Sequence, residues 1–92
     1  MKLSSLRTKV DRLDDQLVRL LEQRAGIARQ IGRQKLESGQ SVFAPAREAA
    51  LFRRLTARLK GTMDQDNLKA IYREILATGR HCQGGTLSLI HI

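Results

Sequence analysis

The chain has 92 residues, room for a single domain, and its seventeen Lys and Arg against nine Asp and Glu give a formal charge of +8. That excess implies an anionic partner (nucleic acid, acidic protein surface or small polyanion), and with Phe43, Phe52 and Tyr72 as the only aromatics, base stacking on aromatic platforms is disfavoured. Cys82 is the only cysteine, which excludes an internal disulfide and suits a reducing cytoplasm, while the absence of a long apolar run argues against a signal peptide or a membrane span.

A domain this small buries only about 60% of its unfolded surface, so oligomerisation is an expected source of extra stability. From Leu3 the apolar residues recur as Leu6, Val10, Leu13, Leu17 and Leu20, then Ile27 and Ile31, a heptad-like stripe. With Ser4 or Ser5 as N-cap and no proline to interrupt it, the pattern predicts one helix from about residue 4 to about 37. On the order of 50 Å long, it would have Gly26 and Gly32 as its weak points.

Glu37 to Ser41 reads as the first loop. A second helix is predicted from Pro45, well placed at a first helical position, to Gly61, with Leu51, Phe52, Leu55 and Leu59 facing inward. A third is predicted from an N-cap at Asp64 to a stop between Gly79 and Gln83, with Leu68, Ile71, Tyr72, Ile75 and Leu76 on one side. The fold class is therefore all-α: three helices, the N-terminal one long. Two short helices cannot cover every side of a long one, so two copies are expected to pair it across a two-fold axis as an intertwined antiparallel homodimer. The competing reading is an ordinary three-helix bundle with a frayed first helix.

Residues 84–92 (Gly84 to Ile92) have no helical period and read as a non-native or truncated tail after a domain of residues 1–83. His81, Cys82 and His91 fit no common zinc spacing, so no metal is expected.

The stripe of the first helix is broken by charge. Continuing its alternation past Leu20 leads to Arg24, and four residues beyond Ile31 stands Lys35. These positions differ by eleven, which brings them within about 20° of the same face. Two cations on a face due for burial imply an anion between helices. Arg24 has an alternative as a side chain snorkelling at the stripe's edge.

Arg7 lies on the order of 25 Å from Arg24 along one helix, too far to share a small ligand, yet an antiparallel partner would bring it to the other chain's site. Its alternative is a solvated surface residue. Arg47 and Glu48 fall in the first turn of the second helix, where free backbone N–H groups favour an anion. Arg53, Arg54, Arg58 and Lys60 read as a solvated face, and Gln83 as either a site amide or a loop residue in water.

The order and spacing of Leu6-Arg7, Val10-Asp11, Leu13-Asp14, Leu20-Leu21-Glu22-Gln23-Arg24, Ile31-Gly32-Arg33-Gln34-Lys35 and Val42 to Glu48 resemble the all-helical chorismate mutases. They include the mutase domain at the front of bifunctional prephenate dehydratases, and the match covers about residues 3–83. The resemblance implies an enzyme of phenylalanine and tyrosine biosynthesis that turns chorismate into prephenate without cofactor or metal. It implies that Arg24, Lys35 and Arg47 of one chain, with Arg7 of the other, hold the two carboxylates of the substrate. It further implies that Lys35 and Gln83 donate to the ether oxygen and that Glu48 accepts from the ring hydroxyl.

Two positions depart from a common pattern of the family. Ala44 stands where some members carry Asp, and Gly79 where some carry Ser, so each loses a side-chain contact. The reaction is an intramolecular rearrangement, needing a held conformer and donors at the ether oxygen rather than a nucleophile. A glutamate in place of Gln83 would donate only when protonated, so activity above neutral pH is expected. A fused downstream domain in the native protein is compatible with the resemblance. The rival readings are an isochorismate pyruvate lyase of the same fold, a basic helical nucleic-acid binder and an inactive dimerisation module. The nucleic-acid binder would display its cations along an outer face.

Overall fold

The computed structural model describes residues 2–39 and 44–83 and contains three helices, α1 (Leu3–Ser38), α2 (Pro45–Thr56) and α3 (Gln65–Gln83). The expected tail, 84–92, lies outside the described residues, as do 40–43. No described helix is long and apolar enough to cross a membrane.

The start of α1 differs from expectation. Its N-cap is Lys2 rather than Ser4 or Ser5, and Lys2 caps with no side-chain hydrogen bond. The extended backbone of Lys2 turns its carbonyl onto the N–H groups of Ser5 and Leu6, both at 3.1 Å. Helical geometry is thus under way before either serine, and the Ser4 carbonyl accepts from Thr8 Oγ1 at 3.0 Å inside the first turns. Thirty-six residues later α1 ends at Gly39, whose φ of 75° is a left-handed conformation that glycine adopts without a Cβ penalty.

Pro45 opens α2 as expected, but the helix stops at Thr56 and does not reach Gly61. Thr56 Oγ1 donates back to the carbonyls of Phe52 (2.9 Å) and Arg53 (3.1 Å), satisfying backbone acceptors locally. The chain then tightens into three-residue turns, with Arg58 N–H on Leu55 O and Leu59 N–H on Thr56 O. Asp64 caps α3: its Oδ1 accepts from Asp66 N–H at 2.7 Å and its carbonyl from Leu68 N–H.

Packing is concentrated where the C-terminal half of α1 crosses α3. The four buried residues described, Ala28 and Gly32 on α1 with Leu76 and Gly79 on α3, form that crossing. A Cβ on Gly32 would lie 2.4–2.8 Å from the backbone of Gln83, so the two helices touch main chain to main chain there. Helix α2 packs on α3, with Leu51, Phe52 and Leu55 half-buried, whereas Ile71, on the expected apolar side of α3, is exposed.

The N-terminal half of α1 has no described helix against it. Leu3, Leu6, Val10, Leu13, Leu17 and Leu20 remain between 44% and 60% exposed. The molecule measures 54 × 24 × 24 Å, with a radius of gyration of 16.4 Å against the roughly 12 Å usual for this length. A long helix half covered by two short ones accounts for that shape.

The two glycines inside α1 should respond oppositely to alanine. Gly26 has nothing within 4 Å of a new Cβ, so Gly26→Ala should stabilise by about 1 kcal/mol through helix propensity. Gly32→Ala gains the same propensity but drives a methyl into the Gln83 backbone, at a cost of about 1–3 kcal/mol or more. Thermal melting should therefore move up for the first and down for the second.

Candidate active site

The crossing of α1 and α3, with α2 alongside, leaves a cleft of about 770 Å³, within the range of small-molecule sites. Its apolar lining comes from Ile27, Ala28 and Ile31 of α1, Leu51 and Leu55 of α2, and Tyr72 and Leu76 of α3. Among the described residues, the cations Arg24, Lys35, Arg47, Arg54 and Arg80, the acid Glu48 and the amide Gln83 are set into that lining.

Of the residues singled out in the sequence, Arg24, Lys35, Ala44, Arg47, Glu48, Gly79 and Gln83 all line this one cleft. They arrive from three helices, each for a local reason. The stripe register of α1 turns Arg24 and Lys35 inward, and both are half-buried. Pro45 fixes the start of α2, which brings Ala44, Arg47 and Glu48 to the mouth. The last two turns of α3 supply Gly79 and Gln83.

Arg7 is not among the lining residues and is exposed, seventeen positions before Arg24 on the same rigid helix. Within one chain it stands apart from the cleft. Arg53, Arg58 and Lys60 are exposed, as expected of a solvated face.

Arg54 is exposed as well, yet it also borders the cleft. It lies two turns after Arg47 on the same face of α2, and that spacing is the signal available for it. Arg80 is a second cleft residue that the sequence reading leaves out, though it falls four residues after Leu76 and three before Gln83, on the cleft face of α3. Arg80 Nη1 forms an ion pair with Glu48 Oε2.

Two contacts set the depth of the site. Arg24 Nη1 lies 3.3 Å from where a Cβ on Gly79 would be, so the missing side chain at 79 lets the guanidinium sit against α3. Gln83 Oε1 is buried and has no hydrogen-bond partner among the described residues. A buried amide oxygen of that kind needs a polar partner to offset its desolvation.

A cation-rich cleft of small-molecule size between packed helices makes this an all-helical protein whose site is suited to a small anionic ligand. The chain belongs to the chorismate mutase type II family, whose model matches residues 6–84. It is 35% identical over 80 residues to the bifunctional chorismate mutase/prephenate dehydratase of Aquifex aeolicus, covering 83% of this chain and 22% of that protein. With the Pseudomonas aeruginosa protein of the same name it shares 30% identity over 82 residues, covering 84% of this chain and 22% of that protein. The chain thus spans about a fifth of the length of these curated relatives. The fold matches the chorismate mutase of Thermus thermophilus (form II) with a TM-score of 0.86 at 27% identity, covering 91% of this chain and 96% of that one.

Arg47 is the site cation least favourable to stability, because it sits in the first turn of α2 where the helix dipole prefers an anion. Arg47→Gln should raise the melting temperature by about 2–4 °C at low salt, less at high salt, while weakening retention of a dicarboxylate ligand. Paired melting and ligand titrations at two ionic strengths check both halves.

Proposed function

We propose that this chain is a cytoplasmic chorismate mutase, active as an antiparallel dimer, with residues 1–83 as the functional domain and 84–92 outside it. The observation that carries the reading is the convergence of Arg24, Lys35, Arg47, Glu48 and Gln83, drawn from three helices, on one cleft of a chain in this family.

The chemistry follows from those groups. Chorismate rearranges intramolecularly: one C–O bond breaks as one C–C bond forms, and no proton changes hands. The enzyme's tasks are to hold the side chain over the ring and to stabilise negative charge growing on the ether oxygen. Arg24, Lys35 and Arg47 take the two carboxylates and fix the reactive conformer. The Lys35 ammonium and the Gln83 amide N–H donate to the ether oxygen as that charge develops. Glu48 accepts a hydrogen bond from the ring hydroxyl. Ala44 offers the substrate no side-chain acceptor, so on this side of the site its backbone is the available contact.

Dimerisation is supported by the bare stripe of α1. The six apolar side chains of the stripe, Leu3, Leu6, Val10, Leu13, Leu17 and Leu20, project from the half of α1 that no described helix covers. A second copy running antiparallel would cover them and would carry its Arg7 toward this chain's Arg24, completing the set of carboxylate ligands.

The direct test follows chorismate consumption by the purified chain, with Arg24→Ala and Lys35→Ala alongside. Wild type should form prephenate and each variant should lose at least about a hundredfold in kcat/KM. Release of pyruvate, or turnover indifferent to both substitutions, would refute the reading.

Shared sites make a second prediction. Arg7→Ala and Lys35→Ala chains, each nearly inactive, should regain about a quarter of wild-type activity when mixed equally and allowed to exchange. Half of the dimers are then mixed, and each mixed dimer has one intact site. Absence of any recovery under demonstrated exchange would place Arg7 outside the site.

A further inference from the structure

Glu48 is the one acid lining the cleft among the described residues, and it stands amid Arg24, Lys35, Arg47, Arg54 and Arg80. A carboxylate free to rotate there would fall onto whichever cation is nearest, including those needed for the carboxylates of the substrate. Its partner is instead Arg80, reached across the gap between α2 and α3, and among the described residues no salt bridge engages Arg24, Lys35 or Arg47.

The pair is partly withdrawn from water, with side-chain exposures of 35% for Arg80 and 24% for Glu48. A charge-assisted bond in that setting orients its acceptor more firmly than a surface pair does. It also uses a single oxygen of the carboxylate, Oε2, so Oε1 is the oxygen that remains to accept. Arg80 comes from the same face of α3 as Gly79 and Gln83, so its position is set by the same helix that builds the floor of the site.

We propose that Arg80 is a positioning residue for Glu48: it anchors Oε2, holds the carboxylate away from the substrate-gripping cations, and leaves Oε1 to accept from the ring hydroxyl. The proposal deepens the mutase reading and rests on it. Arg80 touches no reacting atom. Its effect passes through Glu48 and therefore depends on the hydroxyl that Glu48 recognises.

That dependence separates a positioning role from a plain staple between α2 and α3. Wild type, Arg80→Met and Arg80→Lys are assayed with chorismate and with an analogue lacking the ring hydroxyl, and their melting temperatures are measured in parallel. Arg80→Met should lower kcat/KM for chorismate roughly tenfold while changing that for the analogue less than about twofold. Arg80→Lys, which keeps the charge, should recover part of the loss. Adding Glu48→Gln to Arg80→Met should cost no more than Glu48→Gln alone, since both act through one contact.

Equal losses on both substrates would overturn the proposal and leave Arg80 a structural tie, and no loss on either would overturn it too. If Arg80→Met does not fold, Arg80→Lys carries the same comparison with a smaller expected loss on chorismate alone. A wild-type chain that leaves chorismate unconverted removes the mutase reading itself, and the role of Arg80 with it.

Discussion

Like charges gathered along one cleft repel one another, and an excess of positive charge is the leading feature of this site. Two unit charges 4 Å apart interact by about 4 kcal/mol at the effective dielectric typical near a protein surface. Among the described residues, five cations line this cleft and one carboxylate offsets them. The cleft therefore carries a positive load, which on the proposed function a bound dianion offsets. On the proposed function, each further carboxylate on the wall would neutralise a cation that grips the ligand. The partner of Glu48 among the described residues is Arg80.

Such a load has to be carried by a fold with little core. Among the described residues only Ala28 and Leu76 are buried hydrophobics. Close helix contact compensates in part. Gly32 and Gly79 let α1 and α3 approach until backbone and guanidinium fill the space that side chains would otherwise occupy. Each glycine inside a helix costs about 1 kcal/mol of propensity, so the crossing trades local helix stability for proximity. Proximity is also what the site needs, because it brings Gln83 and Arg24 against opposite sides of the same helical contact. The elements that make the fold marginal are those that make the cleft narrow.

Much of this was legible in the sequence because it is local. Pro45 and Asp64 mark helix starts through backbone chemistry that no tertiary contact alters, and Arg24 and Lys35 betray themselves by interrupting an apolar stripe. The early end of α2 was hidden because the chain passes into three-residue turns after Thr56 with no glycine or proline before Gly61 to mark the change. Arg54 and Arg80 were hidden for another reason. In a chain with seventeen basic residues, a cation on an amphipathic helix reads as solvated until its neighbour is known. The neighbour of Arg80 is Glu48, thirty-two residues away on another helix. Arg7 remains the converse case: its place in a site follows from the resemblance and from symmetry, and one chain alone leaves it on the surface.

The two halves of α1 thus divide the work along one continuous rod. The N-terminal half carries an unbroken apolar stripe with no charge in it, and the C-terminal half carries the same register with Arg24 and Lys35 substituted into it. A helix without an internal break transmits its register rigidly, so whatever fixes the first half in space also fixes the angle at which the second half presents its cations. On the proposed pairing, that fixing comes from a second chain, and folding, assembly and site geometry become one equilibrium. Protomer concentration then acts on activity in two ways at once: dilution uncovers the leucines that stabilise the rod, and it removes the partner's contribution to the carboxylate site. A monomer that kept its three helices would still be missing part of the grip on the ligand. On that pairing, loss of the seam and loss of function are the same event seen from opposite ends of α1.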